Sequence, residues 1–199
     1  GSLRRKDNTL TFTDENDDKR DLPIEQINDI YVMSEMTFNT SLVNLLSQYG
    51  IPVHFFNYYS FYTGSFYPRE HLVSGNLLVS QVEHYTDHEK RMELAKAFIE
   101  GASYNIYRNL RYYNGRGKDV QSYMEAIEDL RKQIPKAQSI QELMGYEGNI
   151  RKTYYSAWPV IIDQEIEFEK RVKNPPDNMV NTLISFVNTL IYTKVLGEI

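Results

Sequence analysis

Apolar positions along this 199-residue chain change their period once. In the first part they alternate or run in short blocks. Thr9-Leu-Thr-Phe-Thr13 alternates and is rich in β-branched residues, and the polar run Asp14 to Asp18 follows as a turn, which predicts one side of a hairpin. A second strand is predicted over Ile27 to Met33. Asn39 or Thr40 then caps a short helix carrying Leu42, Val43, Leu45 and Leu46, closed by Gly50. Ile51 to Phe56 is a mostly apolar strand, so strand, helix and strand in that order predict a crossover, and Phe61 to Tyr67 adds a further edge.

Pro68 ends this pattern, and residues 69–75 read as a linker into a helical region. Asn76 to about Tyr113 is one long amphipathic run or two shorter ones, with Leu77, Val82, Leu94, Phe98, Ile106 and Leu110 at helical spacing. Asn114-Gly-Arg-Gly117 breaks it, and a second helix is expected from Asp119 to Gln133, before Pro135. Ser139-Ile-Gln-Glu142 is a capping-box pattern that opens a third helix, interrupted near Pro159. Asn174-Pro-Pro-Asp177 predicts a turn, and Asn178 to Glu198 a final helix. The fold class is therefore α+β: an N-terminal β-rich domain with one short helix over residues 1–68, then a C-terminal all-α helical domain over 76–199. Because the last helix runs to within a residue of Ile199, that domain is expected to be incomplete.

Composition narrows the class further. With 41% hydrophobic and 25% charged residues, the chain is an ordinary globular polypeptide, and no run approaches the roughly 18 apolar residues of a membrane span. No signal peptide is expected from the first residues. The absence of cysteine excludes disulfides and thiolate sites and is compatible with a reducing cytoplasm, the expected location. Of 22 basic and 27 acidic side chains, 6 and 10 fall in residues 1–72, leaving 16 and 17 beyond; a site for DNA is accordingly expected in the second part.

Three constellations carry candidate chemistry. In Met144 to Tyr155, helical spacing puts Glu147, Arg151 and Tyr155 on one face, with Tyr154 nearly beneath Glu147. An acid that can hold a divalent metal beside an arginine that can hold a phosphate is half of a phosphodiester-handling site; the same residues also fit a solvated Glu/Arg pair. In the last helix Asn178, Asn181, Ser185, Asn188 and Tyr192 share a face opposite Val180, Leu183, Ile184 and Val187, and no charge stands between Asp177 and Lys194. Uncharged amides suit either a buried helix contact or the wall of a polar cleft. Arg108, Arg111, Arg116 and Lys118 interleave with Tyr104, Tyr107, Tyr112 and Tyr113, which fits phosphates and bases, or a basic helix end answering its dipole. His84 and His88 have a metal-chelating spacing without a third ligand, and His54 sits inside an apolar strand as a structural histidine.

Several of these segments, taken in order, resemble one family. Gly50-Ile-Pro-Val-His-Phe-Phe-Asn57, Gly64-Ser-Phe-Tyr-Pro68, the helix from Gln81 to Asn105, Tyr146-Glu-Gly-Asn-Ile-Arg-Lys-Thr-Tyr-Tyr155 and Pro175 to Ser185 are similar to the CRISPR-associated endonuclease and integrase of spacer acquisition, the Cas-one family. The resemblance implies homodimers formed largely through the β domain and a Mg2+ or Mn2+ site whose first ligand is Glu147. Arg151, Tyr155 and the polar face Asn178, Asn181, Ser185 and Asn188 would line the same cleft, with DNA contacts from Arg108, Arg111, Arg116 and Lys118. It further implies attack by a foreign-DNA 3′-hydroxyl on a repeat phosphodiester, inserting spacers into the array, and work with a small ferredoxin-like CRISPR partner, Cas-two, away from any membrane. In that family the other two metal ligands, a histidine and an aspartate, lie beyond the Asn178 helix. This chain, taken alone, is therefore expected to hold metal poorly and to be inactive, and a strand before Gly1 is expected to be missing. The alternative is a non-catalytic dimeric DNA-binding scaffold gripping DNA with Arg108 to Lys118. A third possibility is a helical interaction domain without a nucleic-acid role.

Overall fold

The computed structural model describes residues 1–69, 74–173 and 175–198. They form two compact units, Gly1–Val73 with Leu183–Ile199, and Ser74–Thr182. Most of the expected linker, His71, Asn174 of the expected turn, and Ile199 lie outside the described residues.

The first unit opens with an antiparallel meander, β1 (Ser2–Lys6), β2 (Thr9–Thr13) and β3 (Lys19–Pro23). Leu3 and Leu10 point into the core, whereas Arg4, Thr11 and Asp21 form one row across the opposite face. The alternation of β2 predicts it; β1 and β3 escape a hydrophobic-period reading because charge dominates them, as suits strands at a sheet edge. Asp14 turns the chain by accepting hydrogen bonds from the Asn16 and Asp18 amides at 2.8 and 3.0 Å.

The second sheet holds the predicted crossover. β4 (Ile30–Val32) lies parallel to β5 (Val53–Phe56) through α1 (Thr40–Gln48), and β6 (Tyr62–Phe66) returns antiparallel to β5. The strand expected from Ile27 starts later, because Ile24–Gln26 turns as a short 3-10 helix and buries Ile24. Asn39 is the cap of α1, its side-chain oxygen accepting from the Leu42 amide at 2.9 Å, and Gly50 stops the helix at φ 68°. Leu42, Leu45 and Leu46 then pack with Leu3, Leu10, Ile24, Val32 and Val53.

His54 on β5 is 1% exposed. Its Nδ1 lies 2.6 Å from Ser65 Oγ, which in turn is 2.8 Å from the Tyr62 hydroxyl, and the Tyr31 and Tyr67 rings flank it at 5.0 and 6.1 Å. Burial pushes its pKa below the ordinary 6.5; Asp29 opposes that, and Lys194 adds to it. The unfolded chain therefore takes up this proton more readily. Stability from the neutral, buried ring is complete above about pH 6.5 and is lost as pH falls through the lower folded value. Thermal melts at pH 7.5 and 5.5 should show a loss on acidification that His54→Phe reduces; an equal loss in the variant would remove His54 as its source.

In the second unit, α2 (Gly75–Thr86) is separated from α3 (His88–Asn114) by Asp87, whose extended backbone and cap on the Lys90 amide end one helix and begin the next. The long amphipathic run thus resolves into two helices, and His84 and His88 fall on different ones. Gly117, at φ 84°, completes the break before α4 (Gln121–Arg131). α5 (Ile140–Ser156) starts at Ser139, whose Oγ accepts from the Glu142 amide at 3.2 Å, while Glu142 accepts from the Gln138 amide at 2.8 Å. Pro159 sits in a separate short helix, α6 (Trp158–Ile161). Leu110, Ile127, Ile134, Leu143 and Ile150 make the interior of this bundle.

The last helix, α7 (Met179–Leu196), corrects two expectations. Its 18 residues, at mean hydropathy 1.3, are long and apolar enough by length and composition to cross a membrane, a pattern masked in the sequence by interspersed amides and hydroxyls. Its buried residues are polar, Asn181 and Thr193, whereas Met179, Leu183, Val187, Ile191 and Val195, four apart, are exposed. Within the first unit, Lys194 Nζ reaches Asp29 Oδ2 at 2.7 Å, a contact that groups the end of this helix with residues 1–73 rather than with the expected segment 76–199.

Candidate functional site

α5 presents Glu147, Arg151 and Tyr155 on successive turns, as their spacing predicts. Glu147 Oε1 accepts from Arg151 Nε in an ion pair whose side chains are 31% and 50% exposed, respectively. For the Arg151 guanidinium, partial burial is the largest single influence and disfavours charge. The hydrogen bonds and charges of Glu147 and Tyr155 outweigh it, and its pKa is raised. Gly145 and Gly148 bracket the acid, and a Cβ at either would meet nothing within 4 Å. At two residues before and one residue after Glu147, these glycines open other sides of α5, while the carboxylate and guanidinium share a part-exposed face with Met144 and Ile150.

Aromatic packing fixes the C-terminal end of this face. Tyr155 meets Trp158 and Phe168 edge-on at 5.0 and 5.7 Å, and Trp158 stacks on Phe168 at 5.3 Å. Trp158 and Phe168 were not legible as site supports, since Phe168 comes from an irregular segment with no period to read. Tyr154 is a strut to α3, its hydroxyl donating to Asn109 Oδ1 at 3.0 Å.

A divalent cation at this face would take hard oxygen ligands, and Glu147 supplies one. Among the described residues no group of three or more His, Asp or Glu side chains could hold an ion. The Glu147 carboxylate is paired with Arg151, so the described residues by themselves do not fit a complete metal centre.

The polar row of α7 has mixed roles. Asn178 starts the helix by accepting from the Asn181 amide at 2.9 Å. Asn181, 0% exposed, uses its full side-chain capacity. Its Oδ1 accepts from Arg171 and the Val172 amide, both at 3.1 Å, and its Nδ2 donates to Lys170 O at 3.0 Å and Asp177 Oδ1 at 2.7 Å. That residue faces the 170–172 segment and does not line a cleft. Asn178 and Asn181 share the unit of Glu147; Ser185 and Asn188, both half-buried, belong to the other unit, as does the exposed Tyr192.

The basic stretch is also partly committed. Arg108 lies over Tyr104 at 5.8 Å and Arg116 over Tyr112 at 4.9 Å, so these tyrosines hold arginines as well as offering flat faces. Arg131, from α4, sits 5.5 and 5.6 Å from the rings of Tyr104 and Tyr107. Lys118 pairs with Asp163. Arg108, Arg111 and Arg116 remain exposed.

A "CRISPR-associated endonuclease Cas1" from Fusobacterium nucleatum is 70% identical over 199 residues, 100% of this chain and 59% of that protein. The solved structure of a CAS1 protein from Thermotoga maritima, 38% identical, superposes with a TM-score of 0.80 over 99% of this chain and 61% of its own. A "Casposase bound to integration product" shares the fold alone, at 19% identity and a TM-score of 0.81 over 98% of this chain and 57% of its own. The chain thus spans about three-fifths of the length of the curated relatives it matches. The family description "CRISPR associated protein Cas1" covers residues 1–199, and with the Fusobacterium identity along the whole chain it places this protein in the Cas1 family.

Proposed function

We propose that this chain is the core of a CRISPR adaptation integrase, a Mg2+- or Mn2+-dependent DNA endonuclease and transesterase that inserts foreign-DNA spacers into the repeat array. The observation that carries this reading is the part-exposed Glu147–Arg151 pair on one face of α5, in a chain of the Cas1 family. Arg151 is a cation that a phosphate can draw away from Glu147, so DNA binding and release of the carboxylate are coupled. The nucleophile belongs to the substrate, a DNA 3′-hydroxyl, and the protein's part is to place it against a phosphodiester. Glu147 is one ligand; the remaining histidine and aspartate belong to the part of the full-length protein outside these 199 residues. Arg108, Arg111, Arg116 and Lys118 track the DNA backbone, Tyr155 buttresses Arg151, and Asn178, in the same unit, borders the cleft. Homodimerisation through the β domain, a ferredoxin-like Cas-two partner and a cytoplasmic location complete the proposal.

A non-catalytic dimeric DNA-binding scaffold is the second reading, favoured by the incomplete metal set among the described residues. Strand joining and cleavage of a labelled duplex by the full-length protein with manganese separates the two. Metal-dependent products support the integrase. Salt-sensitive binding that ignores both manganese and Glu147 supports the scaffold and overturns the catalytic assignment.

A further inference from the structure

The outer face of the first sheet was not among the expected DNA contacts, because residues 1–72 are acidic in sum. The fold sorts those charges. Asp7 and the run Asp14 to Asp18 lie in turns, whereas the strands carry five cations, of which the register puts Arg4, Lys6 and Lys19 on the outer face with the single strand carboxylate, Asp21, and Arg5 and Arg20 on the face of Leu10 and Phe12. The pairing places Ser2, Thr13 and Lys19 in one row across the sheet and Arg4, Thr11 and Asp21 in the next. A central strand of threonines is therefore flanked by cations on both sides, over a hollow of about 570 Å³ lined by these residues with Arg5, Lys6 and Asp17.

Asp21 is already answered there. Its Oδ1 accepts from Thr11 Oγ1 at 2.6 Å and its Oδ2 from Lys6 Nζ at 3.1 Å. Arg4 and Lys19 form no ion pair or side-chain hydrogen bond among the described residues, and both are exposed. From this geometry we infer that the outer face of the β1–β3 sheet binds the phosphodiester backbone of DNA, with Arg4 and Lys19 as phosphate contacts and the threonine hydroxyls as donors between them. A second copy of the chain is a poor occupant, because an interface built on a two-fold axis would set this cationic face against itself. The inference rests on the DNA-handling reading above and assigns to it a surface remote in sequence from Glu147.

The test is fluorescence anisotropy of a labelled DNA duplex with the 199-residue chain, over a series of salt concentrations. Arg4→Glu/Lys19→Glu should weaken binding by roughly 10- to 100-fold at 0.1 M salt, and the neutral Arg4→Gln/Lys19→Gln should lower the salt slope by about 1.8. Asp21→Asn, which removes the carboxylate from the middle of the face, should tighten binding by roughly tenfold, a gain that misfolding does not produce. Unchanged affinity and slope in the Gln pair, with loss in Arg108→Gln/Arg111→Gln, would overturn the sheet site and leave the DNA reading standing. Failure of the unaltered chain to bind duplex at low salt would overturn both. Binding to phosphatidylserine vesicles that equals DNA binding and depends on Arg4 and Lys19 would make the occupant a lipid surface and overturn the DNA assignment.

Discussion

Glu147→Gln in the full-length protein is expected to reduce manganese-dependent cleavage and strand joining by more than roughly 100-fold while leaving the melting temperature nearly unchanged. Residues that merely support a metal ligand cost about 10- to 100-fold when lost, and a ligand itself should cost more. The amide keeps the size of the side chain and removes the charge that both a cation and Arg151 require. Structural damage is small by the same geometry, because the Glu147–Arg151 pair is partly exposed, and such pairs contribute a few tenths of a kcal/mol to about 1 kcal/mol. Comparing DNA affinity in the same variant separates chemistry from binding. Removing a negative charge next to Arg151 should leave affinity equal or higher, whereas a variant that joins DNA at the normal rate would exclude Glu147 from the reaction.

Asn181→Ala is expected to be the most destabilising of the polar substitutions, at about 2–4 kcal/mol, or roughly 4–16 °C in melting temperature. No cavity argument is needed. The side chain of Asn181 saturates both its acceptor sites and both its donors, on Arg171, Val172, Lys170 and Asp177, and its truncation removes all four hydrogen bonds at once from a position with no exposure. Asn181→Asp should not rescue it, since a carboxylate cannot donate to Lys170 O and would confront Asp177 Oδ1, now 2.7 Å from the amide nitrogen. Thermal melting measures this directly. A loss below about 0.5 kcal/mol in both variants would mean that the 170–172 segment is held by something else.

The two substitutions also mark where sequence reasoning succeeds and where it stops. Period and caps were enough for α1, α3 and α5, because Asn39, Ser139 and Gly50 have local, strong preferences and the leucines recur at helical spacing. The parallel crossover was legible for the same reason. β1 and β3 were not, since their stability comes from pairing with β2 while their side chains are charged. The face of Glu147, Arg151 and Tyr155 followed from helical geometry, but the commitment of Tyr154 to Asn109 and of Asn181 to residues 170–172 depends on partners far along the chain or in irregular segments. Periodicity on α7 marked a polar row without saying that Asn181 alone in it is buried and that the apolar ladder is exposed. Charge summed over a segment likewise hid the basic strand face, because turns and strands of opposite sign average away.

One unit is continuous in sequence, 74–182, and the other is assembled from both ends of the chain. During vectorial synthesis the helical unit has all its residues first, and its contacts between successive helices close short loops. Residues 1–73 have an apolar core of their own, from Leu3 to Val53, and gain the Asp29–Lys194 contact across 165 positions only when α7 is made. Nascent chains arrested before residue 183 has left the ribosome should therefore resist protease over the helical segment, while the β segment is cut more readily than after α7 has emerged. The sheet that is made first would then be finished second, and chaperones meet its incomplete form for as long as residues 74–196 take to be made.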